Sequence, residues 1–139
     1  MEHNKHYPTV EENVKLLREI EKYDEDWDGE GGLPFGADFV EEIIRLLPTL
    51  PVQPEIGPTG RGSIDLEIGV LKPGERFSDI EIYEENRRVV AYCRNTDGNI
   101  IEEETQMQDI KSIVQRFLDE DRRRKNHGKI KRTRQKSNT

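Results

Sequence analysis

The hydrophobic period of this chain changes at Ser63. Before it, apolar residues recur at helical spacing; after it, Ile64, Leu66, Ile68 and Val70 alternate with Asp65, Glu67 and Gly69. That is the period of a strand with one face buried and the other wet. Lys72, Pro73, Gly74 and Glu75 make a turn into a second alternating strand, with Ile80 and Ile82 inward and Asp79, Glu81 and Tyr83 on the other face. A turn at Glu85 and Asn86 leads to a third strand, Arg88 to Cys93. Asp97 and Gly98 then signal a hairpin into a short edge strand over 99–102. Strands of this kind bury one face only, so the helices on either side of them have to cover that face.

Three helices are available for it. Thr9 and Glu12 form a capping box, and Val10, Val14, Leu17, Ile20 and Tyr23 fall on one face, which predicts a helix over 10–23. The run 24–36, rich in Asp, Glu and Gly, breaks it and reads as a loop anchored by Trp27 and Phe35. Asp38 with Glu41 gives a second N-cap pattern. Phe39, Val40, Ile43, Ile44, Leu46 and Leu47 then make a broad apolar face that Pro48 ends. Pro48, Pro51, Pro54 and Pro58 predict an extended, partly polyproline-like connector to the sheet. Met107, Ile110, Ile113, Val114, Phe117 and Leu118 mark a third amphipathic helix. The expected fold is therefore α+β: an antiparallel meander of three to four strands, covered on one face by two N-terminal helices and one C-terminal helix.

Charge divides the chain differently. Residues 122–139 carry nine cations (Arg122, Arg123, Arg124, Lys125, Lys129, Lys131, Arg132, Arg134 and Lys136) and no Asp or Glu. Of 22 basic residues in all, 13 remain to set against 29 acidic ones, so the body is formally −16 and the tail +9. Such asymmetry points to electrostatic contact with nucleic acid, with a charged partner or with the protein's own body. Apolar residues are 32% and charged residues 37% of the 139, enough for one small core. The expected organisation is a flexible N-terminal arm over 1–8, a single acidic domain over 9–121 and a basic, disordered tail over 122–139. The lone Cys93, the absence of an apolar N-terminal run and the lack of any stretch of about 20 apolar residues predict a cytoplasmic protein without membrane contact.

Asp26, Trp27, Asp28 and Gly29, then Gly31 or Gly32, Pro34, a helix, a proline-rich connector and the Gly62 to Ile68 strand together resemble a widespread group of small bacterial proteins with a Trp-Asp-Gly motif. The resemblance covers residues 12–95. It implies an apolar helix, prolines and an antiparallel sheet in that order, and it carries no activity. The chain departs from that pattern at Gly69, where the group often has a bulky aromatic, and in its basic tail.

Among candidate sites, Trp27 between Asp26 and Asp28 suits an anchor for a cationic group; structurally, it suits a plug between the first two helices. Asp24, Asp26, Asp28 and Glu30 alternate like the opening of a calcium loop, but the twelfth position is Phe35, so the bidentate end is missing. His3 and His6 have no third ligand nearby, Cys93 reads as a buried structural thiol, and Gly57, Gly60 and Gly62 around Arg61 read as turn glycines. No catalytic set, metal or cofactor is expected. Asp65, Glu67, Asp79 and Glu81 all point outward from adjacent strands. Like charges opposite one another destabilise a sheet, so this excess suits a basic partner.

These features predict a non-enzymatic interaction protein whose acidic body binds a basic surface of another protein through Asp65, Glu67, Asp79, Glu81 and the Asp26 to Asp28 loop. An antitoxin-like or inhibitor-like role is the sharpest form of this. The alternative is a nucleic-acid-associated accessory protein acting through residues 122–139. Those nine cations have no aromatic among them, so contact with phosphates would be salt-sensitive and non-specific.

Overall fold

Thr9 starts the first helix with a reciprocal cap: the Glu12 amide donates to the Thr9 hydroxyl at 3.0 Å and the Thr9 amide to the Glu12 carboxylate at 2.8 Å. This computed structural model describes residues 7–69, 77–94 and 100–119. Helix α1 (Val10–Ile20) ends three residues earlier than its apolar spacing predicts. The Lys22 and Tyr23 amides reach back only to Glu19 and Ile20, which tightens the last turn and stops it. Tyr23 instead packs on Trp27.

Helix α2 (Ala37–Leu46) starts before the predicted cap at Asp38. Its N-cap is Gly36, which has no side chain to offer. The carboxylate comes from far along the chain: the Gly36 amide donates to Glu84 at 3.1 Å, so a loop of the sheet closes the helix. A 3-10 turn, Leu47–Thr49, absorbs Pro48. The third helix, α3, spans residues 110–119 and is preceded by a 3-10 turn over Met107–Asp109, so helical geometry begins later than Met107.

The sheet has five strands, one more than expected: β1 (Glu55–Pro58), β2 (Ser63–Ile68), β3 (Phe77–Tyr83), β4 (Val89–Arg94) and β5 (Ile100–Thr105). They lie in chain order, each antiparallel to the next. The extra strand comes from the proline connector, of which only Leu50 to Pro54 remains irregular. Pro58, which has no amide to give, fits the last position of an edge strand. At the other edge β5 runs on to Thr105, past the predicted 102, because its ladder with β4 continues through Glu103 and Glu104. The turn at 72–75 and the Asp97, Gly98 hairpin lie outside the described residues, as do His3, His6 and residues 122–139.

Register puts Ile64 opposite Ile82, Leu66 opposite Ile80, and Val89 and Ala91 beside them on β4. This inner face shares one buried cluster with Leu17 and Ile20 of α1, Phe39, Val40 and Ile43 of α2, and Ile110, Val114 and Phe117 of α3. Burial of these side chains is the main stabilising term, at about 1.5–3 kcal/mol for each large one. No described helix is long and apolar enough to cross a membrane.

One polar tie crosses the core. The buried Asn13 amide donates to Gln53 at 3.2 Å and to the Pro54 carbonyl at 3.0 Å, while Gln53 donates to the Leu47 carbonyl at 2.7 Å. It clamps the connector against α1 just before β1. Asn13→Ala leaves the Gln53 and Pro54 oxygens without that donor, and we expect a loss of about 1–3 kcal/mol in urea unfolding. An unchanged midpoint would show that the clamp is not needed.

Candidate functional site

The period of two that buries Ile64 and Leu66 leaves Asp65 and Glu67 on the opposite face, and the same holds for Asp79 and Glu81 on β3. The register then places Asp65 directly opposite Glu81 and Glu67 directly opposite Asp79. Four carboxylates thus form a two-by-two array, with side chains about 5 Å apart across the strands. The array continues across the sheet. Glu55, Glu67, Asp79, Tyr92 and Glu102 are successive register partners, one from each strand, and Asp65, Glu81, Val90 and Glu104 form a second row beside them.

The four central carboxylates are handled in three ways. Glu81 is only 2% exposed, and Arg61, from the turn between β1 and β2, donates to it through Nε at 2.8 Å while the Ser63 hydroxyl donates at 2.5 Å. Burial pushes its pKa up, but the bonds from Arg61 and Ser63 prevail and hold it below the usual value. Arg61 is raised in return, chiefly by the bond to Glu81.

Asp65 and Asp79 have no such cation bonded to them among the described residues. Both are pushed up by burial first, Asp79 to about 7 with the Asp65 charge beside it as the next cause. The two side chains are hydrogen-bonded to each other. Two carboxyl groups can do this only when the pair holds a proton between them. Asp79 Oδ1 is buried with no hydrogen-bond partner. Glu67 is exposed. Tyr92, further along the row, is also pushed up, by burial first and then by Glu102 and Glu81. Among the described side chains the arrangement is short of positive charge and is chemically suited to accept an ammonium or guanidinium group.

The second predicted contact, at Asp26, Trp27 and Asp28, is bound up with its own loop. Trp27 Nε1 donates to the Leu33 carbonyl at 2.8 Å and its ring meets Tyr23 at 4.9 Å between centroids. Asp28 accepts from the Glu30 and Gly32 amides at 2.9 and 2.7 Å, and Asp26 from the Gly31 amide at 2.6 Å. The Glu30 amide is the main reason the Asp28 carboxyl is held below its usual pKa. Gly29 and Gly31 have φ of +76° and +83°, and a Cβ on Gly32 would lie 2.6 Å from the Asp28 carboxylate. Trp-Asp-Gly-x-Gly-Gly is therefore spelled out by a turn. Trp27 packs against the buried cluster, while Asp28 and Leu33 stand against Gly60 and Gly62 in the turn between β1 and β2. Among the described residues no three His, Cys, Asp or Glu side chains gather as metal ligands. Cys93 lies partly buried on the inner face of β4.

Arg61 and Ser63, which hold Glu81, were not among the expected site residues, although Arg61 sits in a glycine turn that had to bring it near the strand's start. Glu55 and Glu104 lie outside the expected strands, one in the proline connector and one beyond residue 102; Glu102 lies at the last position of the expected edge strand, where alternation alone gave it no face. No family model matches the chain, and neither a curated protein nor a solved structure is detectably similar to it.

Asp79 gives the fold a pH dependence. The unfolded chain has an ordinary aspartate and the folded one a raised pKa of about 7, so its contribution is fully present below the unfolded pKa and lost as pH rises through the folded one. Asp79→Asn, neutral throughout, should escape this loss. We expect it to match wild type at about pH 4 and to exceed it at about pH 8 in urea unfolding, by less than the full shift would give because Asp79 is only partly buried. A constant difference between the two proteins at all pH values would show that Asp79 ionises normally.

Proposed function

We propose that this protein is a non-enzymatic interaction protein whose acidic sheet face binds a basic surface of another protein. The observation that carries it is the array itself: Asp65, Glu67, Asp79 and Glu81 opposed across β2 and β3, with Arg61 neutralising Glu81 and no other described cation paired with the remaining three. A protein selected for stability alone would mix signs here, since like charges in register each cost tenths of a kcal/mol. A partner's Arg or Lys placed over the Glu67 and Asp79 pair would supply the missing charge, and Asp79 would then release its proton. Arg61 on Glu81 is the local precedent for such a contact. An antitoxin-like or inhibitor-like protein, which covers a basic nucleic-acid cleft on its target, is the sharpest form of this function. The flat, exposed setting of Glu55, Glu67 and Glu102 suits a protein surface better than a small substrate.

The test is capture of a partner from native cells by the tagged full chain, with nuclease present. Glu67→Lys with Glu102→Lys, both at exposed positions, should reduce recovery of a stoichiometric protein at least tenfold without lowering the unfolding midpoint. Unchanged recovery would exclude the acidic face as the contact. Recovery of nucleic acid alone, lost with nuclease, would favour the accessory role through residues 122–139.

A further inference from the structure

The outer sheet face has two properties that its function does not use up. The described helices contribute to the buried cluster on the inner face, so none of them covers it. It also carries seven carboxylates (Glu55, Asp65, Glu67, Asp79, Glu81, Glu102 and Glu104) against two described cations paired with them, Arg61 and Arg88. Its most enclosed unsatisfied atom, Asp79 Oδ1, is an acceptor without a donor. The same chain supplies the complementary charge: nine Lys and Arg within residues 122–139 and no acid among them.

We propose that the basic segment 122–139 docks on the outer face of its own sheet, across Glu102, Asp79 and Glu67, and so competes with any basic partner for that face. The inference rests on the acidic face being the binding surface.

Geometry permits it. Arg116 of α3 donates to Glu103 of β5 at 3.0 Å, so the last described turns of the chain lie at the β5 edge of the sheet. From there the acidic row runs across four strand spacings, about 19 Å. Residues 120–139 number twenty, and a flexible chain of that length has a root-mean-square span of about 25 Å. Tethering at this length gives an effective concentration on the order of millimolar. A moderately binding segment would therefore occupy the face most of the time at low salt, and salt would release it. The tail carries no aromatic, so the contact rests on charge and is weakened by salt. A partner has to present a denser cationic surface than the tail in order to displace it.

The experiment compares two full-length proteins, wild type and a variant with all nine basic residues of the segment replaced by glutamine. Each is titrated at low salt with two labelled probes, a synthetic 122–139 peptide and a nonaarginine peptide. The neutral-tail protein should bind both, wild type at least tenfold more weakly, and Glu67→Gln with Asp79→Asn in the neutral-tail protein should abolish binding. Equal binding of both probes by the two proteins would overturn the docked tail while leaving the acidic face as a cation-binding surface. Failure of the neutral-tail protein to bind either probe would overturn both. Concentration-dependent dimers of wild type, absent in the neutral-tail variant, would place the segment on a second copy and overturn the intramolecular contact.

Discussion

The pairing of β2 with β3 is the constraint on which the rest depends. Ile64 opposite Ile82 and Leu66 opposite Ile80 give the helices an unbroken apolar floor. Because side chains alternate strictly along a strand, that same register forces Asp65 against Glu81 and Glu67 against Asp79. A slip of one residue would put the carboxylates into the core. The acidic array and the hydrophobic core are thus two faces of one decision, and burial of several large side chains far exceeds the tenths of a kcal/mol lost at each repelling pair.

How the face tolerates its charge depends on what stands next to each carboxylate. Arg61 reaches Glu81 because the turn between β1 and β2 ends beside the start of β3's partner strand, and Gly62, at φ +82°, lets the chain make that turn. Glu81 can then be both buried and ionised. Asp65 and Asp79, which Arg61 does not bond, settle their repulsion by sharing a proton. Both solutions are local, and only the second leaves a demand for charge from outside. The turn between β3 and β4 serves the helix layer instead. There Glu84 caps α2 and Arg87 pairs with Glu42 at 2.8 Å, fixing that helix to the sheet.

Much of this was legible in the residues. Alternation at Ile64 to Ile68 and at Ile80 and Ile82 located both central strands and the outward carboxylates, and the Thr9, Glu12 box located the start of α1 to the residue. Other features depend on distant partners that no local pattern reveals. β1 holds one large apolar residue, Ile56, between prolines, and exists because β2 offers it a ladder. The cap of α2 comes from Glu84, 48 positions away. Alternation shows which way Glu81 points but not that Arg61 and Ser63 bury it, nor that Asp79 has no such partner. The Trp27 loop looked like a site because Asp, Trp and Gly serve both recognition and turns, and here backbone amides take up its carboxylates.

The state of the Asp79 proton tests this account most directly. Its side-chain carboxyl carbon can be followed by NMR against pH in about 0.3 M salt, where contact between the tail and the body is screened. We predict a midpoint well above the usual carboxylate range, with the Asp65 signal responding in the same interval. A midpoint near 4, the ordinary value for an aspartate, would mean that the four carboxylates do not constrain one another and that the face has no unmet need for a cation.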